Sequence, residues 1–290
     1  LGRKQAALIV LRSCLPAGRP TRKADLPAKP NAGVAAPNIP STVSTKNELK
    51  LARSLQQKKF RDQLGLFLVQ GPKLVGELLR SSWPVEAIYA TEVAMVKHDL
   101  HKAIAVPPHE LDRIGTLESG NEMIAVARKA AVGPLKDLGP EELVLAMDGI
   151  TDPGNLGTVL RVADWFGIKR VWCNSGSVDV YNPKCVQASM GAIFRVTVDQ
   201  VHLPDLLKRQ HALGATIYYA TMGGASVFGK DLARKAIIVL GSESHGISAE
   251  VLQVGGQAIS VPGSGGSESL NVAMAAAALC TEFSRQRGLP

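Results

Sequence analysis

An α/β fold built on a largely parallel sheet is what this sequence predicts, on two observations. Near-continuous apolar runs such as LVLAM from Leu143 and AIIVL from Ala236 alternate with helical stretches, as strands covered on both faces do. Three apolar runs also pass directly into loops rich in Gly, Ser and Asn, and three such switches from strand to loop point to one site.

Taken along the chain, residues 1–45 read as a basic, Pro-rich leader, expected to be disordered. Residues 1–40 hold seven Lys and Arg against Asp25 alone, so +6 of the net +8 lies there and only +2 remains for residues 41–290. Overall charge therefore says little about the folded surface. The leader is Arg-rich and nearly free of acids, as organellar transit segments are, although its prolines interrupt an amphipathic helix. A cytoplasmic location is expected, with organellar targeting left open.

Residues 46–130 predict a small α/β domain. Leu49, Ala52 and Leu55 alternate with basic residues over 46–61, which predicts one short amphipathic helix whose basic face is either solvated or set against phosphate. Strands are expected at 66–69, 86–90 and 123–127, with helices through 77–80 and near 93–101. Residues 131–142, with Gly133, Pro134, Gly139 and Pro140, have the composition of a linker. The larger domain, 143–290, predicts strands at 143–147, 170–173, 195–198, 216–220, 236–240 and 258–261.

Composition excludes several classes. The longest apolar run, near 272–279, is far short of the roughly 20 residues of a spanning helix. Cys14, Cys173, Cys185 and Cys280 show no paired spacing, so neither a metal site nor a disulfide framework is expected and a reducing compartment is the natural setting. The turn from Asp152 lacks Gly-x-Gly-x-x-Gly and no Gly-Lys-Ser/Thr loop exists, which argues against NAD and ATP. His245 has no Gly-x-Ser-x-Gly elbow to serve as a hydrolase partner.

The three Gly/Ser/Asn loops carry ordered motifs. The first holds Asn155, Leu156 and Gly157, with Arg161 six residues after Asn155. The second runs Gly241, Ser242, Glu243, Ser244, His245, Gly246. The third has Val261 and Pro262, followed by Ser269, Leu270 and Asn271. In this order and separation the set resembles the SpoU (TrmH-like) branch of the SPOUT RNA 2'-O-methyltransferases, and residues 46–128 resemble that family's small substrate-binding domain.

The resemblance implies a trefoil-knotted C-terminal domain, although knots are rare on physical grounds. It further implies S-adenosylmethionine as cofactor, RNA as substrate with rRNA favoured over tRNA, and a homodimer. It implies catalytic roles for Asn155, Arg161, Glu243, Ser269 and Asn271. Cofactor contacts, largely through backbone, are implied at Gly241, Val261 and Leu270, with Thr221 and Gly223 as neighbours.

Methyl transfer to a ribose hydroxyl is an in-line displacement in which positioning dominates. A guanidinium with pKa above about 12 is a poor base, so Arg161 is expected to orient the ribose and a phosphate and to stabilise the developing alkoxide. Its bland alternative is an ion pair with Asp164, three residues on, or with Glu243. Glu243 is placed to bind Asn155 or Arg161. Ser269 and Asn271 can face the acceptor nucleotide or cap the final helix, and Leu270 can pack on the adenine.

One departure from the family is Ser244, where many relatives carry Gly; a positive φ there would strain the loop. The competing function classes are a non-catalytic RNA-binding ribosome-assembly factor and a dinucleotide-dependent oxidoreductase.

Overall fold

The computed structural model describes residues 46–117, 120–266 and 268–288, so the expectations for the leader and Cys14 lie outside the described residues. Ala52 and Leu55 are fully buried, and Lys46–Ser54 (α1) forms around that apolar face. The helix predicted to continue to residue 61 instead breaks, and Lys58–Leu64 (α2) follows, closed by Gly65 at φ 65°. Arg61 stabilises the break. Its Nη1 donates to the carbonyls of Leu55 and Gln56 at 3.0 and 2.8 Å, satisfying acceptors that the interruption frees.

Arg61 is 2% exposed, and its Nε and Nη2 both donate to Asp179 Oδ2, at 2.9 and 2.7 Å. The basic face expected to be solvated or to meet phosphate therefore sends one of its cations inward.

The small sheet comprises Leu66–Gln70 (β1), Val85–Ala90 (β2), Ile104–Ala105 (β3) and Met123–Arg128 (β4), in the order β1-β4-β2-β3. Strand β4 runs antiparallel to β1 and β2, whereas β2 and β3 are parallel. Helices Pro72–Arg80 (α3), Glu92–Lys97 (α4) and Pro108–Ile114 (α5) connect them. The helix expected near 93–101 stops at Lys97, and Asp99 just beyond it takes a left-handed φ of 55°. Strand β3 and helix α5 carried no sequence signal of their own strong enough to be foreseen.

The second sheet is wholly parallel, in the order β10-β8-β9-β5-β6-β7. It comprises Leu143–Asp148 (β5), Arg170–Cys173 (β6), Thr197–Gln200 (β7), Thr216–Ser226 (β8), Ala236–Gly241 (β9) and Gln257–Ser260 (β10). Its helices are Pro153–Trp165 (α6), Pro183–Ser189 (α7), Leu203–Ala212 (α8), Ala249–Leu252 (α9) and Val272–Gln286 (α10). Strand β7 begins two residues later than predicted because a 3-10 turn, Ala192–Phe194, occupies the preceding chain.

Strand β8 runs past the predicted residue 220 to Ser226, and a bulge at Ala258/Ile259 resets its register with β10. At that point a Cβ on Gly224 would lie 2.5 Å from the backbone of Ile259, so only glycine allows the approach.

Side chains along β5 and β9 alternate between two cores. Leu145, Met147, Ile238 and Leu240 pack towards α6 and α10, whereas Val144, Ala146, Ile237 and Val239 pack with Leu203 and Leu207 of α8. The first core continues into the small sheet through Phe67 and Val69. Ring contacts of 4.7 Å between Phe67 and Tyr181 and 5.6 Å between Trp83 and Phe194 tie the two sheets together.

Between the sheets, residues 129–142 contain no regular element, yet Leu138 is buried and its amide donates to Gln210 Oε1 at 3.1 Å. Cys173, Cys185 and Cys280 are free and buried, and burial pushes the Cys173 and Cys280 thiols up to about 12. Among the described residues no helix is long and apolar enough to cross a membrane.

The Arg61–Asp179 pair is a buried ionic contact between α2 and the segment before α7, with side-chain exposures of 2% and 9%. Removing one partner strands the other charge in a poorly solvated place. Asp179→Ala is expected to lower the unfolding free energy by about 3–5 kcal/mol, read from urea denaturation at constant m-value; a loss under about 1 kcal/mol would show that water replaces the carboxylate.

Candidate active site

The first motif is shaped by its helix cap. Asp152 precedes Pro153 at the start of α6, and its Oδ1 accepts the amide of Asn155 at 2.8 Å. Its Oδ2 accepts Lys184 Nζ at 2.8 Å. The lysine bond, reinforced by the backbone amide, holds the Asp152 carboxyl below the usual carboxylate range. Gly157 is required by close packing, since a Cβ there would lie 2.4 Å from the Cys185 carbonyl oxygen and 2.7 Å from Ala188 Cβ. Helix α6 thus lies directly on α7, with Asn155 in its first turn and Arg161 farther along.

The second motif follows β9. Ser242 and Gly246 exchange backbone hydrogen bonds of 3.0 and 2.9 Å, which closes the loop on itself. A Cβ on Gly241 would sit 2.1 Å from the Gly246 carbonyl carbon, so the first residue must be glycine. The positive φ of the loop, 66°, is at Gly246, and Ser244 is not among the non-glycine residues with positive φ. The condition for strain at Ser244 is therefore not met, and its hydroxyl lies 2.7 Å from His245 Nδ1. From β5, Asp148 Oδ2 accepts the Ser248 amide at 2.7 Å, fixing the far end of the loop.

The third motif meets both others. Asn271 caps α10 through Oδ1, which accepts the amides of Ala273 and Met274 at 3.0 and 3.4 Å. Its Nδ2 donates to Glu243 Oε1 at 2.9 Å and to Asn155 Oδ1 at 3.0 Å. Asn155 Nδ2 donates to the same Glu243 oxygen at 2.8 Å. Three residues from three loops, far apart in sequence, thereby share one carboxylate oxygen. Asn271 serves as helix cap and as part of this cluster at once.

Beside the cluster lies a cleft of about 630 Å³ between β8, β9, β10 and α10. Of the residues expected at a cofactor site, Thr221, Gly241, Val261 and Leu270 line it, as do Glu243 and Ser269. Gly223, Asn155, Arg161 and Asn271 are not among its lining residues. Ile247 and Leu279 add apolar wall that the motifs did not single out. Met222, Leu240, Ile259 and Val272 add further apolar side chains, small residues fill much of the rest, and the volume falls in the range of small-molecule sites. No group of His, Cys, Asp or Glu among the described residues could hold a metal ion.

Arg161 is exposed, and no hydrogen bond or ion pair to it occurs among the described residues. Both carboxylates that could neutralise it are engaged elsewhere. Glu243 holds Asn155 and Asn271, and Asp164 is bound by Arg195 at 2.9 and 3.1 Å. Sequence reasoning missed Lys184, Asp148 and Arg195, which act from other elements. For Asp152, the Asp-Pro pair before an apolar helix was a cap signal already present in the chain.

Comparison with known proteins agrees with this geometry. Residues 142–281 match the SpoU rRNA Methylase family, and residues 46–131 match the MRM3-like substrate binding domain. The 23S rRNA (guanosine(2553)-2'-O)-methyltransferase RlmP of Bacillus subtilis is 31% identical over 241 residues, covering 81% of this chain and 96% of that protein. Mouse mitochondrial rRNA methyltransferase 3 is 28% identical, over 80% of this chain and 70% of its own length.

Among solved structures, a TrmH-family protein of Porphyromonas gingivalis superposes with a TM-score of 0.74 at 39% identity, over 84% of this chain and 99% of that one. AviRb of Streptomyces viridochromogenes, a SpoU methyltransferase solved with AdoMet, gives 0.73 at 26% identity, over 84% and 98%. With the three motif loops joined as described and the Bacillus relative 31% identical over 96% of its length, the chain belongs to the SpoU rRNA methylase family.

Proposed function

We propose that this protein transfers a methyl group from S-adenosylmethionine to a ribose 2'-hydroxyl of ribosomal RNA. The observation that carries the reading is the junction of Asn155, Glu243 and Asn271 beside the cleft, with an unpaired arginine on the same helix as Asn155. The cleft fits the cofactor on its own chemistry. Leu240, Ile247, Val261 and Leu270 offer apolar contact to an adenine, and Thr221, Ser269 and the strand-end backbone offer hydrogen bonds. When bound, the cofactor supplies an electrophilic methyl carbon on a sulfonium.

The chain's own part is to position and to stabilise. Arg161, always charged, orients the acceptor ribose through a neighbouring phosphate and stabilises the alkoxide that develops as the hydroxyl proton leaves to a neighbouring acceptor or water. The Asn155–Glu243–Asn271 cluster fixes the start of α6 relative to the wall of the cleft, which sets the approach of acceptor to methyl. Ser269 faces the cleft and is free to contact the acceptor nucleotide.

The relatives named as rRNA methyltransferases favour rRNA over tRNA. The small domain, matching the MRM3-like substrate binding domain, supports RNA capture. The mouse relative is named as mitochondrial, which supports the organellar alternative to a cytoplasmic location. A trefoil knot and a homodimer belong to this reading too; exposed Met222 and Met274, at 70% and 65%, offer apolar surface next to the cleft for a second copy.

Two variants test the assignment. Arg161→Ala is expected to keep cofactor affinity and lower transfer of labelled methyl to rRNA by at least about 100-fold, the scale seen when a transition-state donor is removed; turnover within about threefold of wild type contradicts the role. Leu270→Ala is expected to weaken cofactor binding about tenfold, or about 1.4 kcal/mol, somewhat less than the full burial of a leucine contributes, as read by calorimetry; unchanged affinity would place the adenine elsewhere.

A further inference from the structure

Arg161 and Asp164 stand three residues apart on α6, the spacing at which opposite charges pair on a helix surface. In the structure they do not pair. Arg195, the residue after the 3-10 turn, grips Asp164 with its Nε at 3.1 and 2.9 Å from the two carboxylate oxygens and its Nη2 at 2.9 Å. Its Nη1 donates to Glu77 Oε2 at 2.8 Å, and Arg80 holds the other oxygen of Glu77 at 2.6 Å. Glu77 lies on α3, beside the small sheet. A forked guanidinium thus bridges a carboxylate of the small domain and the carboxylate nearest in sequence to the proposed catalytic cation.

We infer that Arg195 is a positioning residue that sequesters Asp164, and so keeps Arg161 unpaired for an RNA phosphate and the acceptor ribose. The inference rests on the methyltransferase reading for its effect on rate but not for its effect on Arg161. Without Arg195, Asp164 gains a rotamer towards Arg161, and its uncompensated charge opposes the anion that Arg161 is to bind. Because the Arg195 side chain is 43% exposed, the effect is modest in size and electrostatic in kind. Glu77 takes only the Nη1 donor of Arg195, which Asp164 does not use, and Arg80 holds the other oxygen of Glu77.

The test uses full-length protein in four variants and two readouts. Methyl transfer to rRNA should fall about 3- to 10-fold in Arg195→Met, the effect of one nearby surface charge. It should be restored when Asp164→Asn is added, and largely retained in Arg195→Lys, which keeps the charge. Phenylglyoxal labelling of Arg161, mapped by mass spectrometry, should slow in Arg195→Met and recover in the double variant.

Glu77→Gln leaves the Arg195–Asp164 contact in place and should transfer at close to the wild-type rate. Wild-type transfer in Arg195→Met, no rescue by Asp164→Asn, or an equal loss in Glu77→Gln overturns the inference, the last by showing that docking of the small domain is what matters. If the wild type moves no methyl to any RNA, the functional reading fails. The labelling series still decides this one, because an unchanged Arg161 rate in Arg195→Met refutes it.

Discussion

One oxygen atom, Glu243 Oε1, is where the site holds together. It receives amide donors from Asn155 at 2.8 Å and Asn271 at 2.9 Å, and those two side chains bond each other at 3.0 Å. A carboxylate is the group suited to this place, since it offers several lone pairs and strengthens each bond with its charge. Each partner stands near the edge of a different element: Asn155 lies in the first turn of α6, Glu243 in the loop that follows β9, and Asn271 caps α10. Loops with so few side chains have little to pack, so a shared polar bond supplies the rigidity that an apolar core supplies elsewhere.

Around this junction the fold contributes a graded set of restraints. Asp148, buried in the central strand, pins the second loop at Ser248, while its other oxygen holds Asn174 Nδ2 at 2.5 Å. Lys184 reaches from α7 to the cap of α6. Arg61 and Tyr181 fasten the small sheet to the segment that leads into α7. The site is therefore connected to the substrate-binding side of the molecule by successive ionic and aromatic contacts, which suits an enzyme that must align a large polyanion with a small cofactor.

Much of this was legible in the chain. The parallel sheet followed from the apolar runs, because strands covered on both faces leave no polar alternation, and β6 falls at 170–173 as read. That the three loops meet at one site, and that Glu243 faces Asn155 or Arg161, was read from the motifs, whereas the bonds of Asn271 to both Glu243 and Asn155 were not. What stayed hidden has physical causes. Arg61 looks like a surface cation in an amphipathic helix, and only the break after Ser54 and a carboxylate 118 residues away turn it inward. Strain at Ser244 depended on where the loop places its left-handed residue, and that residue is Gly246. Gly223 sits on the extended β8, beyond the stretch of that strand that borders the cleft.

The central claim is that the three loops act as one unit through Glu243. Hydrogen exchange of Glu243→Ala against wild type, resolved to peptides covering residues 152–160, 241–248 and 262–275, tests it directly. The account predicts that all three segments lose protection together while the sheet keeps its own. Loss confined to residues 241–248 would contradict it, and would mean that each loop is held by its own strand and cap alone.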